Sequence, residues 1–141
     1  MDLVTAFLNA FNATLQDVID AIRVGPASNG YTGHNALAIT DTANHDGGPL
    51  SVWQYPGRKC IEVWNGCDQA VSITLMVYDY TGVNLLYTSD AQVVAANSNS
   101  LITAAAIPAL LEPLQQFVLR ANYTVAPTTG TLTTVIDAAP V

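Results

Sequence analysis

Two histidines, His34 and His45, stand in the polar run NGYTGHNALAITDTANHDGG, with Asp41 and Asp46 close by. An imidazole beside a carboxylate can ligate a divalent metal or move a proton near neutral pH. Neither a metal-ligand spacing nor a second set of donors accompanies these four, so the expectation is solvated loop residues and no metal. Cys60 and Cys67 form C-x6-C, which matches no zinc spacing and has no second pair beside it. Cys60 falls within an expected strand and Cys67 in the turn that follows, a poor arrangement for a disulfide, so both read as free thiols in a reducing cytosol. Glu62, Asp79 and Asp46 could be assembled into a carboxylate pair for glycoside hydrolysis, yet nothing in their spacing favours that over solvated charges. The chain contains no G-x-S-x-G, no G-x-x-x-x-G-K-[ST], no H-E-x-x-H and no EF-hand loop. The expectation is a protein that is not an enzyme, with no catalytic residue, cofactor or metal site.

The elements that would position these groups are mainly β. From Lys59 to Asp79 the chain reads KCIEVWNGCDQAVSITLMVYD, two segments rich in Val, Ile, Thr and Trp that flank a polar Asn-Gly turn, which predicts a β-hairpin. Further strands are expected at 50–54, 83–88, 91–95, 115–126 and 131–138, with turns at Tyr80-Thr81-Gly82 and Pro127-Thr128-Thr129-Gly130. In the central strand Val71, Ile73, Leu75 and Val77 should face the core, and Ser72, Thr74, Met76 and Tyr78 should face outward. The run SLITAAAIPALLEP, residues 100–113, reads as a crossover with a short helix opened by Pro108.

Residues 1–23 carry the one clear helical period. Leu3, Phe7, Phe11, Leu15, Val18 and Ile22 step by fours and one three along one face; Asp2 suits the helix start, Arg23 its end, and Gly25-Pro26 stops it. Residues 24–48 read as a polar arm, with a short strand at 36–40. The organisation expected is thus a helix over 1–23, an extended arm over 24–48 and an antiparallel β-sandwich or barrel over 49–141, of jelly-roll or immunoglobulin-like type.

Composition narrows the partners. Of 141 residues, 11% are charged against roughly 25% in ordinary soluble domains, while 50% are hydrophobic. A surface so poor in charge suggests that other copies or another protein cover much of it. The net charge is −7, with only Arg23, Arg58, Lys59 and Arg120 positive, too few cations to displace counterions from nucleic acid or to dock on an anionic membrane. No stretch approaches the roughly 20 apolar residues of a membrane span, and the acidic start does not read as a secretory signal.

The order strand, Asn-Gly, strand, D-x-x-G, small helix and a closing FVLRANYTVAPTTGTLTTVID resembles the compact β-sandwich proteins of tailed-phage virions, notably capsid decoration (cement) proteins, over residues 51–137. Such proteins bind the outside of an icosahedral shell, often as trimers at capsomer junctions, and staple neighbouring capsid subunits. The resemblance implies a homo-oligomeric virion component assembled in the host cytoplasm, whose helix and arm reach across subunits. Leu3, Phe7, Phe11, Leu15, Val18 and Ile22 are the contact residues expected, with Tyr31, Trp53, Met76 and Tyr78 beside them. The alternatives are another virion component (tail, fibre or the capsid subunit itself) or a carbohydrate-binding module in which Trp53, Tyr55 and Trp64 form an aromatic platform.

Overall fold

A computed structural model of the chain describes residues 2–6, 9–12, 14–15, 30–51, 58–114 and 116–138. Among these residues nine strands follow in chain order: β1 (Gly30–Leu37), β2 (His45–Asp46), β3 (Lys59–Asn65), β4 (Val71–Tyr78), β5 (Leu85–Thr88), β6 (Gln92–Val94), β7 (Ser98–Ile102), β8 (Gln116–Tyr123) and β9 (Leu132–Ala138). They form two antiparallel sheets, one ordered β1-β9-β3-β7 and the other β2-β8-β4-β5, with β6 also on β4. β8 runs along the whole of β4 on one side; on the other, β6 pairs with Val71–Ile73 and β5 with Met76–Tyr78. β5 and β6 therefore lie end to end along a single edge.

The two sheets close a core of alternating side chains. Ile61 and Val63 of β3, Val71, Ile73, Leu75 and Val77 of β4, Phe117, Leu119, Ala121 and Tyr123 of β8, and Leu132 and Ile136 of β9 are buried between them. The alternation expected in the central strand is observed except at Met76, which is buried, and β8 and β9 alternate in the same way. A 3-10 helix, Pro108–Leu111, adds Leu110 to the core; it opens on Pro108 as expected.

Two predicted connections differ. The hairpin expected across Asn65-Gly66 does not form: β3 pairs with β7 and β9, whereas β4 belongs to the other sheet. The closing pair, β8 and β9, is divided between the sheets in the same way. Both turns are arches that cross from one sheet to the other. Strong apolar alternation marks a strand with one buried face, and that is equally true of hairpin partners and of strands facing each other across a core.

The polar arm is also part of the sandwich from residue 30. β1 pairs with β9, and β2 with β8, so the sandwich begins well before the boundary expected at 49. Gly, Thr, Asn and His disguise β1, whose register is broken twice by bulges between Thr32 and Leu37. β7 overlaps only the start of the crossover expected at 100–113 and is not marked in the sequence, because SNSLI has little apolar alternation at a sheet edge. Of the strand expected at 50–54, Leu50 forms a bridge to Phe117, and residues 52–57 lie outside the described residues.

Candidate interaction surface

The N-terminal segment is helical at 3–6, 9–12 and 14–15. Its start follows from Asp2, whose carboxylate accepts a hydrogen bond from the Thr5 main-chain N–H at 2.8 Å while its carbonyl accepts one from Ala6 N–H at 3.1 Å. Hydrogen bonds from Thr5 to the carboxylate lower the Asp2 pKa. Every described residue of the helix is exposed, its apolar face included: Leu3 is 85% exposed, Phe11 56% and Leu15 47%. A soluble helix normally hides such a face on its own domain. Phe7, Val18 and Ile22, expected on the same face, lie outside the described residues, as does Trp53.

The other expected contact residues fall in different surroundings. Tyr31 on β1 is half-buried and packs against the core. Tyr78 is half-buried at the end of β4. Met76 points away from the core cluster as predicted but is only 2% exposed, in register between Thr88 of β5 and Val118 of β8. A contact surface therefore cannot rest on Met76, and alternation alone did not signal the covering of this outer-face position.

A second apolar surface was not singled out as a whole from the sequence. All four residues of β5 are exposed, and its Leu85, Leu86 and Tyr87 line the β5–β6 edge with Tyr80, Val83 and Val93. The β4–β5 turn that presents Tyr80 and Val83 is built around Asp79. Its carboxylate accepts bonds from the Thr81 hydroxyl at 2.6 Å and the Asn84 amide at 2.7 Å, which hold its pKa well below the usual carboxylate range. Gly82, at φ 74°, supplies the left-handed position that this turn needs. The signal that could have found this surface is the run Tyr80 to Ser89, ten residues without a charge.

The candidate chemical groups are engaged in structural bonds. His34 is buried on β1: its Nε2–H donates to the His45 carbonyl at 2.9 Å, and its Nδ1 accepts from the Thr134 hydroxyl at 2.8 Å. Burial lowers its pKa. His45 meets Asp41 at 2.6 Å, and Asp46 receives Arg120 through two bonds of 2.6 and 2.9 Å. Asp46, Asp79 and Glu62 are thus on separate elements and assemble no acid–base pair among themselves. Glu62 lies instead against Asp137 of β9, and that carboxyl–carboxyl hydrogen bond raises its pKa. Cys60 sits opposite Asp137 in register; burial and these two carboxyl groups push its thiol up, the reverse of an activated nucleophile. Both cysteines are free, and no group of three metal-ligating side chains occurs among the described residues. No helix among the described residues is long and apolar enough to cross a membrane.

Compared with protein-family models, with curated proteins and with solved structures, the chain has no match.

Proposed function

We propose that the chain is a non-enzymatic structural protein of a virion shell, most simply a decoration protein that bridges neighbouring subunits. The observation that carries the reading is the uncovered apolar face of the N-terminal helix, with Leu3 85% and Val4 67% exposed beside a sandwich that closes its own core. An apolar helix of this kind gains stability when neighbours cover it, and many copies turn a modest free energy per site into a large one.

Strand order supports the same reading. With β5 and β6 counted as halves of one edge strand, the first strand pairs with the last, the second with the seventh, the third with the sixth and the fourth with the fifth. That nesting is a jelly roll, an architecture used by viral capsid domains, lectins and cupins, so it favours the virion classes without selecting among them. Charge agrees: Lys59 is buried and Arg120 is engaged by Asp46, which leaves little to attract nucleic acid.

A second reading has its own observation. Trp64 is 54% exposed on the outer face of β3, between Asn99 and Thr133 in register, an aromatic plane with polar neighbours that suits a sugar ring. Sedimentation velocity over a range of concentrations, paired with tryptophan fluorescence during glycan titration, separates the two. A shell protein gives discrete oligomers or larger particles and unchanged emission; a monomer at every concentration whose emission shifts with glycan contradicts the proposal.

A further inference from the structure

We infer that Asn65-Gly66 is a modification site kept closed by the fold: the β3–β4 arch shields it from deamidation, and opening the arch exposes it to a covalent change that the sandwich cannot accommodate.

Packing selects both residue types. Asn65 is fully buried, and its amide donates to the carbonyls of Gln69 at 2.9 Å, Ala95 at 2.9 Å and Val94 at 3.3 Å. Its oxygen accepts from the Cys67 main-chain N–H at 3.2 Å and the Tyr123 hydroxyl at 2.9 Å. An amide supplies donors and an acceptor together, which neither a carboxylate nor an ammonium does. Gly66 approaches the facing arch so closely that a Cβ would stand 3.0 Å from the Thr131 carbonyl oxygen. The dipeptide these contacts select is also a labile one. Asparagine is thermolabile, and a following glycine leaves the next nitrogen unshielded and the main chain free to turn.

The reaction is a cyclisation. The Gly66 nitrogen gives its proton to solvent base and attacks Cγ of Asn65; a C–N bond forms as Nδ2 leaves, protonated, as ammonia. Water then opens the succinimide at either carbonyl, giving an aspartate or an isoaspartate, in which the main chain runs through the side-chain carbon. Nothing is oxidised or reduced, and water is the only co-reactant. In the closed arch both participants are held: Thr131 O engages the Gly66 N–H at 2.9 Å, and the bonds above fix the Asn65 amide. Once formed, a carboxylate would set its charge against the carbonyl oxygens of Gln69, Val94 and Ala95 with no proton to offer them, in a site without water access. An isoaspartate would also lengthen the main chain of the arch by one carbon. Conversion therefore follows the open fraction of the molecule and removes each converted chain from the folded pool.

The test uses the full chain in mildly alkaline buffer, with and without urea, read by peptide mapping and released ammonia. Asn29-Gly30 is the same dipeptide and serves as the internal standard in urea. In urea the two sites should convert at similar rates, whereas without urea Asn65 should convert roughly 10³-fold or more slowly, following the small unfolded fraction. Gly66→Ala, compared in urea where folding plays no part, should slow conversion at Asn65 and leave Asn29 unchanged. When urea is removed, unconverted chains should regain the native fold, and Asn65→Asp, which reproduces one product, should not. Equal conversion of Asn65 with and without urea would overturn the shielding, an unchanged rate in Gly66→Ala would overturn the cyclisation, and wild-type stability of Asn65→Asp would overturn the irreversible loss.

Discussion

The neutral state of His34 is written into its hydrogen bonds. The Thr134 hydroxyl accepts from the His34 main-chain N–H at 3.0 Å, so its own proton goes to Nδ1, and Nε2 keeps the proton it gives to the His45 carbonyl. A second ring proton would set a donor against the hydroxyl's proton. The groups around the ring are His45, Asp46 and, bonded to Asp46, Arg120; burial outweighs the pull of Asp46 and depresses the His34 pKa. The unfolded chain, with His34 near 6.5, therefore binds a proton that the folded chain resists. Stability from this residue is complete above about pH 6.5 and is lost as pH falls through the depressed folded value, at no more than about 1.4 kcal/mol per pH unit. Urea unfolding from pH 8 to pH 5 should show this slope in the wild type and not in His34→Gln; equal slopes in the two would contradict it. Asp41 and Asp46, whose pKa values lie below the usual carboxylate value, lose their contributions only in more acidic solution. None of this was legible in the sequence, where His34 reads as a loop residue: its partner Thr134 is 100 positions away.

At the scale of elements, the crossings between the sheets carry the fold. Asn65 is fully buried at the end of β3, where its amide donates to the carbonyls of Gln69, Val94 and Ala95 and its oxygen accepts from Cys67 N–H and the Tyr123 hydroxyl. It thereby ties together the β3–β4 arch, the end of β6 and the end of β8. The two arches also bind each other: Gly66 N–H donates to Thr131 O at 2.9 Å, and Asp68 accepts from Thr128 through both its main-chain N–H and its hydroxyl. Gly130, at φ 96°, lies so close to the Gly66 carbonyl that a Cβ there would collide with main chain. Asn65→Ala leaves several buried polar groups without a partner and should cost about 3 kcal/mol or more, whereas Tyr123→Phe removes one hydrogen bond and should cost about 1 kcal/mol. Chemical denaturation checks the pair, and equal losses would mean that Asn65 is no hub. The sequence showed an Asn-Gly turn here and placed β3 by its Val- and Ile-rich composition and β4, β8 and β9 by their alternation, because a buried face leaves a period of two. It could not show which strands pair, since that depends on contacts between Asn65 and residues up to 58 positions away. The edges β1, β2 and β7, with little apolar surface to bury, left no period to read.

For the whole molecule, the sandwich closes its core and, among the described residues, still leaves apolar surface uncovered, including the helix face of Leu3, Val4, Phe11 and Leu15 and the β5 edge. Low charge across the chain was legible in the composition and predicted such surfaces; the helix face was legible from its period, and the β5 edge only from a charge-free run whose placement needed the fold. An isolated chain would hold these surfaces against water at a cost of about 25 cal/mol for each Å² of apolar area. Association removes that cost. The most direct test is the native mass by light scattering of the full chain and of a chain lacking residues 1–23, a truncation that ends before β1 and spares every strand of the sandwich. The account predicts an oligomer that falls to a dimer or smaller when the helix is removed. An unchanged mass, or a monomer in both forms, would contradict it.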